Sequence, residues 1–310
     1  MKATLIYNAN ARQTNTISTD EIQEMLRAAG YRPVYTPTMS VHDLDSALAD
    51  AEGGLVVVAG GDGTIRAVAI RLLERDVPLS ILPLGTANNI ARTFGIEAPP
   101  EEILEALADP YHCAFDIGRV ETPWGKHYFL EALGFGFYAD TLNALGPEAQ
   151  QEKNVLKAIG AVARTIPDYE SHPFELLVDG QEISGDYLLV EVLNTTAFGP
   201  RLRVAPKADT GDGLFEIIRI RAQERESFVS YMMSLFSEEL DEMPSVEASQ
   251  GRRLEVKWYG FPLHIDGEIH PRVELRPSAR KRLQKPAEQK VIVEVIPQAL
   301  TFWLPHVPAK

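Results

Sequence analysis

The chain is poor in cysteine, in positive charge and in long apolar runs. Cys113 is its single cysteine, which excludes an intramolecular disulfide framework and a cysteine-based metal cluster and suits a reducing compartment. No stretch approaches the roughly 18 consecutive apolar residues of a membrane span, and the apolar run before Asn8 is too short for a signal-peptide core. Lys and Arg number 30 against 44 Asp and Glu, a formal net charge of −14 over 310 residues. That balance argues against a general nucleic-acid binder, because neutralising phosphate takes clustered cations. No His-Glu-x-x-His spacing and no Gly-x-Ser-x-Gly elbow occurs, which disfavours a zinc hydrolase and a serine hydrolase of those types. The expectation is a soluble, cytoplasmic protein without a transmembrane segment that must meet any anionic partner locally.

What is present has two grammars. Apolar, β-rich runs at Thr4 to Tyr7, Pro33 to Tyr35, Leu55 to Val58 and Leu79 to Leu82 alternate with helical patterns at Glu21 to Ala29, Val41 to Asp50, Ile65 to Glu74 and Ala87 to Phe94. Such alternation predicts a parallel sheet covered by helices, with ligands at the carboxyl ends of its strands. From about Phe115 the chain reads strand after strand, interrupted by helical patterns at Asn154 to Ile166 and Arg225 to Phe236. Turn signals at Asp179-Gly180, Gly211-Asp212-Gly213 and Asp266-Gly267 support hairpins there. The expected architecture is an α/β nucleotide-binding domain over residues 1–120. A β-rich antiparallel sandwich or barrel follows over 121–310, and its last segment is allowed to pack back on the first domain.

The most informative segment runs from Leu55 to Arg66, where a buried strand enters Gly60-Gly61-Asp62-Gly63-Thr64 and then a helix. Glycines let backbone approach a phosphate closely, and the helix end adds directed amides and positive potential. Asp62 is the odd member, since a carboxylate beside phosphate calls for a cation such as Mg²⁺. A glycine-rich turn with an Asp cap accounts for the same residues without a ligand. A second strand-to-helix turn, Pro83-Leu84-Gly85-Thr86-Ala87-Asn88, follows about 25 residues later, and two such turns at neighbouring strand ends would face one cleft. The pattern is neither a dinucleotide Gly-x-Gly-x-x-Gly nor a P-loop.

Together, Gly60-Gly-Asp62-Gly-Thr64 and Pro83-Leu-Gly85-Thr86-Ala-Asn88 resemble the diacylglycerol kinase catalytic domain shared by bacterial lipid kinases and sphingosine kinases. Asn8-Ala-Asn10, the segment from Ala205-Pro206 to Asp212-Gly213-Leu214, and Asp266-Gly267-Glu268 match that family in order, so the resemblance covers nearly the whole chain. It implies an ATP site lined by Thr36, Gly60, Gly61, Asp62, Gly63, Thr64, Ile65, Arg66, Thr86 and Asn88. It also implies a Mg²⁺ held by Asp212 with main-chain carbonyls of Asp209 and Leu214, and Glu268 as the general base acting on a lipid hydroxyl, with Asp62 in the catalytic set. The acceptor would be diacylglycerol or a related amphiphile presented at a membrane surface, in a cleft between the domains. Arg66, Ala67 and Asn89 stand where many members carry carboxylates. NAD kinases and 6-phosphofructokinases share the Gly-Gly-Asp-Gly turn, and a non-catalytic nucleotide- or lipid-binding regulatory member is a further alternative. Local pattern alone cannot assign a base, because Asp179-Gly180-Gln181 has the same hairpin grammar as Asp266-Gly267-Glu268.

Two segments bear on membrane access. Val155, Leu156, Ile159, Val162 and Ile166 fall at helical spacing, a stripe that suits either core or lipid contact. The stretch Arg272 to Lys285 holds six basic residues against Glu274 alone, a solvated loop or a patch for anionic headgroups that would give peripheral membrane association. The sequence leaves the oligomeric state open, a homodimer included.

Overall fold

Short runs rich in β-branched residues form a parallel sheet: β1 (Lys2–Tyr7), β2 (Arg32–Tyr35), β3 (Leu55–Gly60) and β4 (Leu79–Pro83), in the spatial order β2-β1-β3-β4. All six residues of β3 are buried, as a strand covered on both faces requires. The computed structural model describes residues 1–8, 17–38, 40, 42–151, 169, 171–221, 246–271 and 289–306. Among these the covering helices are α1 (Thr19–Ala28), α2 (Asp43–Ala47), α3 (Asp62–Leu72), α4 (Asn89–Thr93) and α5 (Pro100–Ala106). α1 starts at a reciprocal capping box, in which Glu21 N–H donates to Ser18 Oγ and Ser18 N–H to Glu21 Oε2. α4 is shorter than the pattern from Ala87 to Phe94 predicts, because Asn88 takes a left-handed conformation (φ 54°) and delays the helix. α5 is an addition to the predicted elements; Pro100 at its first turn, with Glu101 and Glu102, is the start signal for it.

The remaining strands and one helix follow: β5 (Tyr111–Thr122), β6 (Gly125–Phe129), β7 (Ala132–Gly136), α6 (Phe137–Gln151), β8 (His172–Phe174), β9 (Leu176–Val178), β10 (Gln181–Glu182), β11 (Gly185–Leu193), β12 (Ala197–Phe198), β13 (Leu202–Arg203), β14 (Phe215–Arg221), β15 (Val246–Gly251), β16 (Arg253–Lys257), β17 (Leu263–Ile265), β18 (Glu268–His270) and β19 (Lys290–Leu304). The chain divides into two units, Met1–Asp116 with Pro297–Lys310, and Ile117–Ile296. β5 and β19 each run from one unit into the other, so the chain leaves the first unit at 116 and rejoins it at 297. In the first unit, β19 adds Phe302 beside Leu79 of β4, in parallel, and the buried Asp116 accepts a 2.6 Å hydrogen bond from Gln298 N–H.

The second unit is antiparallel, as the hairpin grammar predicts. One sheet has the order β15-β14-β11-β7-β17-β18 with β8 also on β11, and β10-β9-β16 pairs with the first part of β19. Side chains from both sets, among them Phe135, Val190, Phe215, Leu254, Leu263 and Val291, form one apolar core, the arrangement of a sandwich. A second apolar cluster lies around Tyr138 and Leu142 of α6, Leu189 and Leu193 of β11, and Phe198 and Leu202 of the β12-β13 ribbon. α6 goes unpredicted because Gly146-Pro147 reads as a helix stop. β15 goes unpredicted because Val246–Gly251 is a polar edge strand with little apolar alternation. The helical patterns at Asn154 to Ile166 and Arg225 to Phe236, the strand at Val273 to Leu275 and the basic run Arg272 to Lys285 lie outside the described residues. No helix among the described residues is long and apolar enough to cross a membrane.

Candidate active site

Because β1 to β4 are parallel, Asn8, Thr36, Gly60 and Pro83 all fall at one edge of the first unit's sheet. The chain moves from β1 outward to β2 and then back across to β3, so the direction of winding reverses between β1 and β3, where open α/β sheets place ligands. At that point Asn8 Nδ2 donates to Thr64 Oγ1 at 2.9 Å. Gly61 precedes α3 in an extended conformation and brings no side chain to the helix end.

The two glycine turns are packed backbone to backbone. Leu84 N–H donates to Gly60 O at 2.9 Å, which carries the β3-β4 pairing into the turns. A Cβ on Gly85 would stand 2.5 Å from the Gly61 Cα and 2.6 Å from Asn88 Oδ1, distances no side chain accepts. Asn88 closes the second turn on itself: Gly85 N–H donates to its Oδ1 at 2.9 Å and its Nδ2 donates to Gly85 O at 3.2 Å. Thr36, Gly63 and Thr86 are exposed at this edge, whereas the Ile65 side chain is fully buried and can offer a ligand only main chain.

Asp62 has company that the sequence does not disclose. Its Oδ1 accepts from Ile90 N–H at 3.1 Å, and the amides of Asn89 and Asn88 also bear on it. The carboxylate therefore ties the start of α3 to the start of α4 and holds the two turns in register. Burial pushes this carboxyl above its ordinary value, and the amides oppose that shift only in part.

In the second unit, Asp266 and Gly267 form a turn with positive φ at both residues (47° and 78°) between β17 and β18, the geometry of a tight hairpin. The Asp266 carboxylate accepts from the amides of Leu130, Glu131 and Ala132 at 2.9, 2.9 and 3.1 Å. Asp266 N–H donates to Ala132 O at 2.8 Å. Asp179 does the same work in the other hairpin, accepting from the amides of Arg252 and Arg253. The two aspartates are structural in the same way, and the hairpins differ at the next strand, which starts with Glu268 in one and Gln181 in the other.

The turn from Asp209 to Leu214 is shaped by its own carboxylates, with Gly211 N–H on Asp209 Oδ1 at 3.0 Å and Leu214 N–H on Asp212 Oδ1 at 2.8 Å. It immediately precedes β14. Register puts Glu216 beside Leu193, Leu193 beside Ala132, Leu133 beside Ile265, and Ile265 beside Glu268. The Asp212 turn and Glu268 thus share one end of the sheet, yet four strand spacings separate them, about 19 Å. A cation at Asp212 would be too far from Glu268 to share a ligand with it. His264, which alternates with Asp266 and Glu268 in sequence, is instead buried against Glu191, Nε2 to Oε2 at 2.8 Å. Glu191 was the available signal here: a lone carboxylate in the apolar run Tyr187 to Leu193.

The diacylglycerol kinase catalytic domain model matches residues 2–120, and the YegS C-terminal NAD kinase beta sandwich-like domain model matches residues 139–303, more than half of the chain. The chain belongs to the diacylglycerol kinase family of lipid kinases. A diacylglycerol kinase from Bacillus subtilis (strain 168) is 25% identical over 277 residues, 86% of this chain and 89% of the relative. A probable lipid kinase YegS-like protein from Pseudomonas savastanoi pv. phaseolicola is 30% identical over 253 residues, 76% and 77% of the two chains. The crystal structure of a diacylglycerol kinase from Bacillus anthracis str. Sterne has the same fold, with TM-score 0.68, 18% identity, and coverage of 98% of this chain and 97% of that one.

Proposed function

We propose that this lipid kinase transfers the γ-phosphoryl group of ATP to a hydroxyl of diacylglycerol or a chemically related lipid presented at a membrane surface. The observation that carries the reading is the pair of glycine turns held backbone against backbone at the reversal point of the parallel sheet. With no side chain at Gly61 or Gly85 and the amino end of α3 behind them, main-chain amides can come within hydrogen-bond reach of a triphosphate. Asp62 serves here by locking the turns, while Thr64, Thr86, Asn88, Thr36 and Arg66 supply polar groups along the same edge. Phosphoryl transfer asks mainly for positioning and charge stabilisation. Glu268, on the strand fixed by Asp266, takes the proton from the acceptor hydroxyl as that oxygen attacks phosphorus.

A hard divalent cation suits the Asp209 to Leu214 turn, because carboxylate and main-chain oxygens are the donors there. Mg²⁺, when bound, supplies charge that knits that turn together and, with the nucleotide, offsets phosphate charge. Asp212 would hold it with the carbonyls of Asp209 and Leu214. The basic run from Arg272 to Lys285 gives an acidic chain a local means of meeting anionic headgroups.

Purified protein with Mg²⁺, labelled ATP and a panel of diacylglycerol vesicles, NAD and fructose 6-phosphate tests this directly. Label should enter the lipid and not the other acceptors. Glu268→Gln should lose kcat with ATP binding intact, and label in NAD or sugar phosphate would overturn the reading.

A further inference from the structure

Glu191 and His264 are fully buried and have no part in the chemistry above, yet they sit directly behind the hairpin that carries Glu268. Register explains how they meet. Gly134 of β7 is the neighbour of Glu191 on β11 and of His264 on β17, so the two lie in one row across three strands with a glycine between them. A Cβ at Gly134 would run into the Glu191 carboxylate. The absent side chain is what lets the pair close over β7. α6 and the β12-β13 ribbon seal it: the Tyr138 ring stands edge-on to His264 at 4.9 Å, and Phe198 stacks on it at 5.6 Å and 7°.

The imidazole bridges two groups. On one side Nε2 meets Glu191 Oε2 at 2.8 Å; on the other, Gly267 N–H donates to Nδ1 at 3.4 Å. An accepting Nδ1 fixes the tautomer with the proton on Nε2, so His264 donates to Glu191. Gly267 is the second residue of the turn and the one before Glu268. Glu191 Oε1 has no hydrogen-bond partner among the described residues, and burial pushes the Glu191 carboxyl up. A buried carboxylate left half satisfied is costly, and apolar residues of similar volume often serve a core as well or better. Stability is therefore a weak reason for the pair.

We propose that Glu191 and His264 are positioning residues for phosphoryl transfer: Glu191 holds the imidazole, and the imidazole holds the Gly267 amide and thereby the backbone of Glu268. This rests on Glu268 as base and extends that assignment inward by two residues. Misplacement of a catalytic group by about 1 Å costs up to ~10²-fold in rate, so the arrangement needs only to restrain the turn slightly.

Two near-isosteres separate the two halves of the bridge. His264→Asn keeps an acceptor where Nδ1 stood and loses the link to Glu191; His264→Gln keeps a donor toward Glu191 and loses the acceptor for Gly267. The expected result is that His264→Gln lowers kcat about tenfold or more with KM for ATP unchanged, while His264→Asn retains most of kcat. Equal kcat losses, or losses that follow melting temperature instead of the Gly267 acceptor, would overturn the proposal. Should His264→Gln fail to fold, Glu191→Met, which removes the acceptor that keeps the imidazole proton on Nε2 and so lets Nδ1 carry it and lose the Gly267 amide, is expected to show the same fall in kcat at constant KM for ATP, and unchanged kcat would overturn it. In a Glu268→Gln background, His264→Gln should cost nothing further, because residues acting as a unit are non-additive. A dead Glu268→Gln with a normal His264→Gln refutes the positioning role alone, whereas a fully active Glu268→Gln refutes the base.

Discussion

Gly85 and Gly63 stand in adjoining turns but serve different masters. Gly85→Ala forces a methyl against Gly61 and Asn88, so it is expected to cost about 1–3 kcal/mol of stability together with ATP affinity, as read by urea unfolding and nucleotide titration. Gly63 has open space around it. Gly63→Ala should fold at least as stably, by roughly 0.4–1 kcal/mol, yet raise KM for ATP if its backbone lies against phosphate; an unchanged KM would remove it from the site. Asp62 carries a pH signature. Its folded pKa lies above the ordinary 3.8, so between those values the folded chain holds a proton that the unfolded chain releases, and stability falls as pH rises through that window. Asp62→Asn removes this slope. Relative to wild type the variant should gain stability from acid toward neutral pH, while its kcat/KM drops because only one oxygen is left to hold α4. The two turns at this edge were legible in the sequence because a strand running into glycines and then into a helical pattern is a local signal, although plain turns and caps use the same residues. The partner of Asp62 was not, since Ile90 lies 28 residues away at the start of a helix whose left-handed cap, Asn88, no periodicity discloses.

At the scale of elements, the two Asp-Gly hairpins form an internal comparison. Both aspartates receive backbone amides of a neighbouring segment, 130–132 for Asp266 and 252–253 for Asp179. Asp266→Ala strands amides of the buried residues Leu130, Glu131 and Ala132 and should cost about 1–3 kcal/mol, whereas the bonds to Asp179 are exposed and Asp179→Ala, whose amides pass to water, should cost less. Only Asp266→Ala should also lower kcat, because only its hairpin puts a carboxylate directly after the Asp-Gly turn, Glu268 where the other has Gln181; equal kcat for both variants would place Glu268 outside the reaction. Sequence reasoning found these hairpins and the parallel strands β1 to β4 because their signals are local: turn chemistry, and apolar runs between glycines. It missed α6, whose Gly146-Pro147 mimics a stop, and β15, whose edge position excuses it from apolar alternation. The Glu191-His264 contact spans 73 residues and exists only once three strands are in register over Gly134, so no window along the chain contains it.

For the molecule as a whole, the net charge of −14 opposes approach to an anionic bilayer, and in the function proposed above the Arg272 to Lys285 run offsets it locally. Replacing Arg280, Lys281 and Arg282 by Ala should weaken binding to phosphatidylserine vesicles by about 1 kcal/mol per residue at low ionic strength. The salt sensitivity of sedimentation should shrink with it, while turnover of a short-chain soluble diacylglycerol stays the same. Both the α/β and the antiparallel halves could be inferred from sequence grammar, which also allowed the last segment to pack back on the first domain, whereas the pairing that makes the return, Phe302 beside Leu79, joins strands more than half of the sequence apart. That return has a consequence for synthesis. A ribosome delivers β4 long before Phe302, so the nascent first unit waits with an open strand edge beside Leu79, and with Asp116 lacking the Gln298 amide, until all of 117–296 has been made. The inserted unit can fold first and bring the two crossing strands together, which makes the early half of the polypeptide the part most in need of a chaperone.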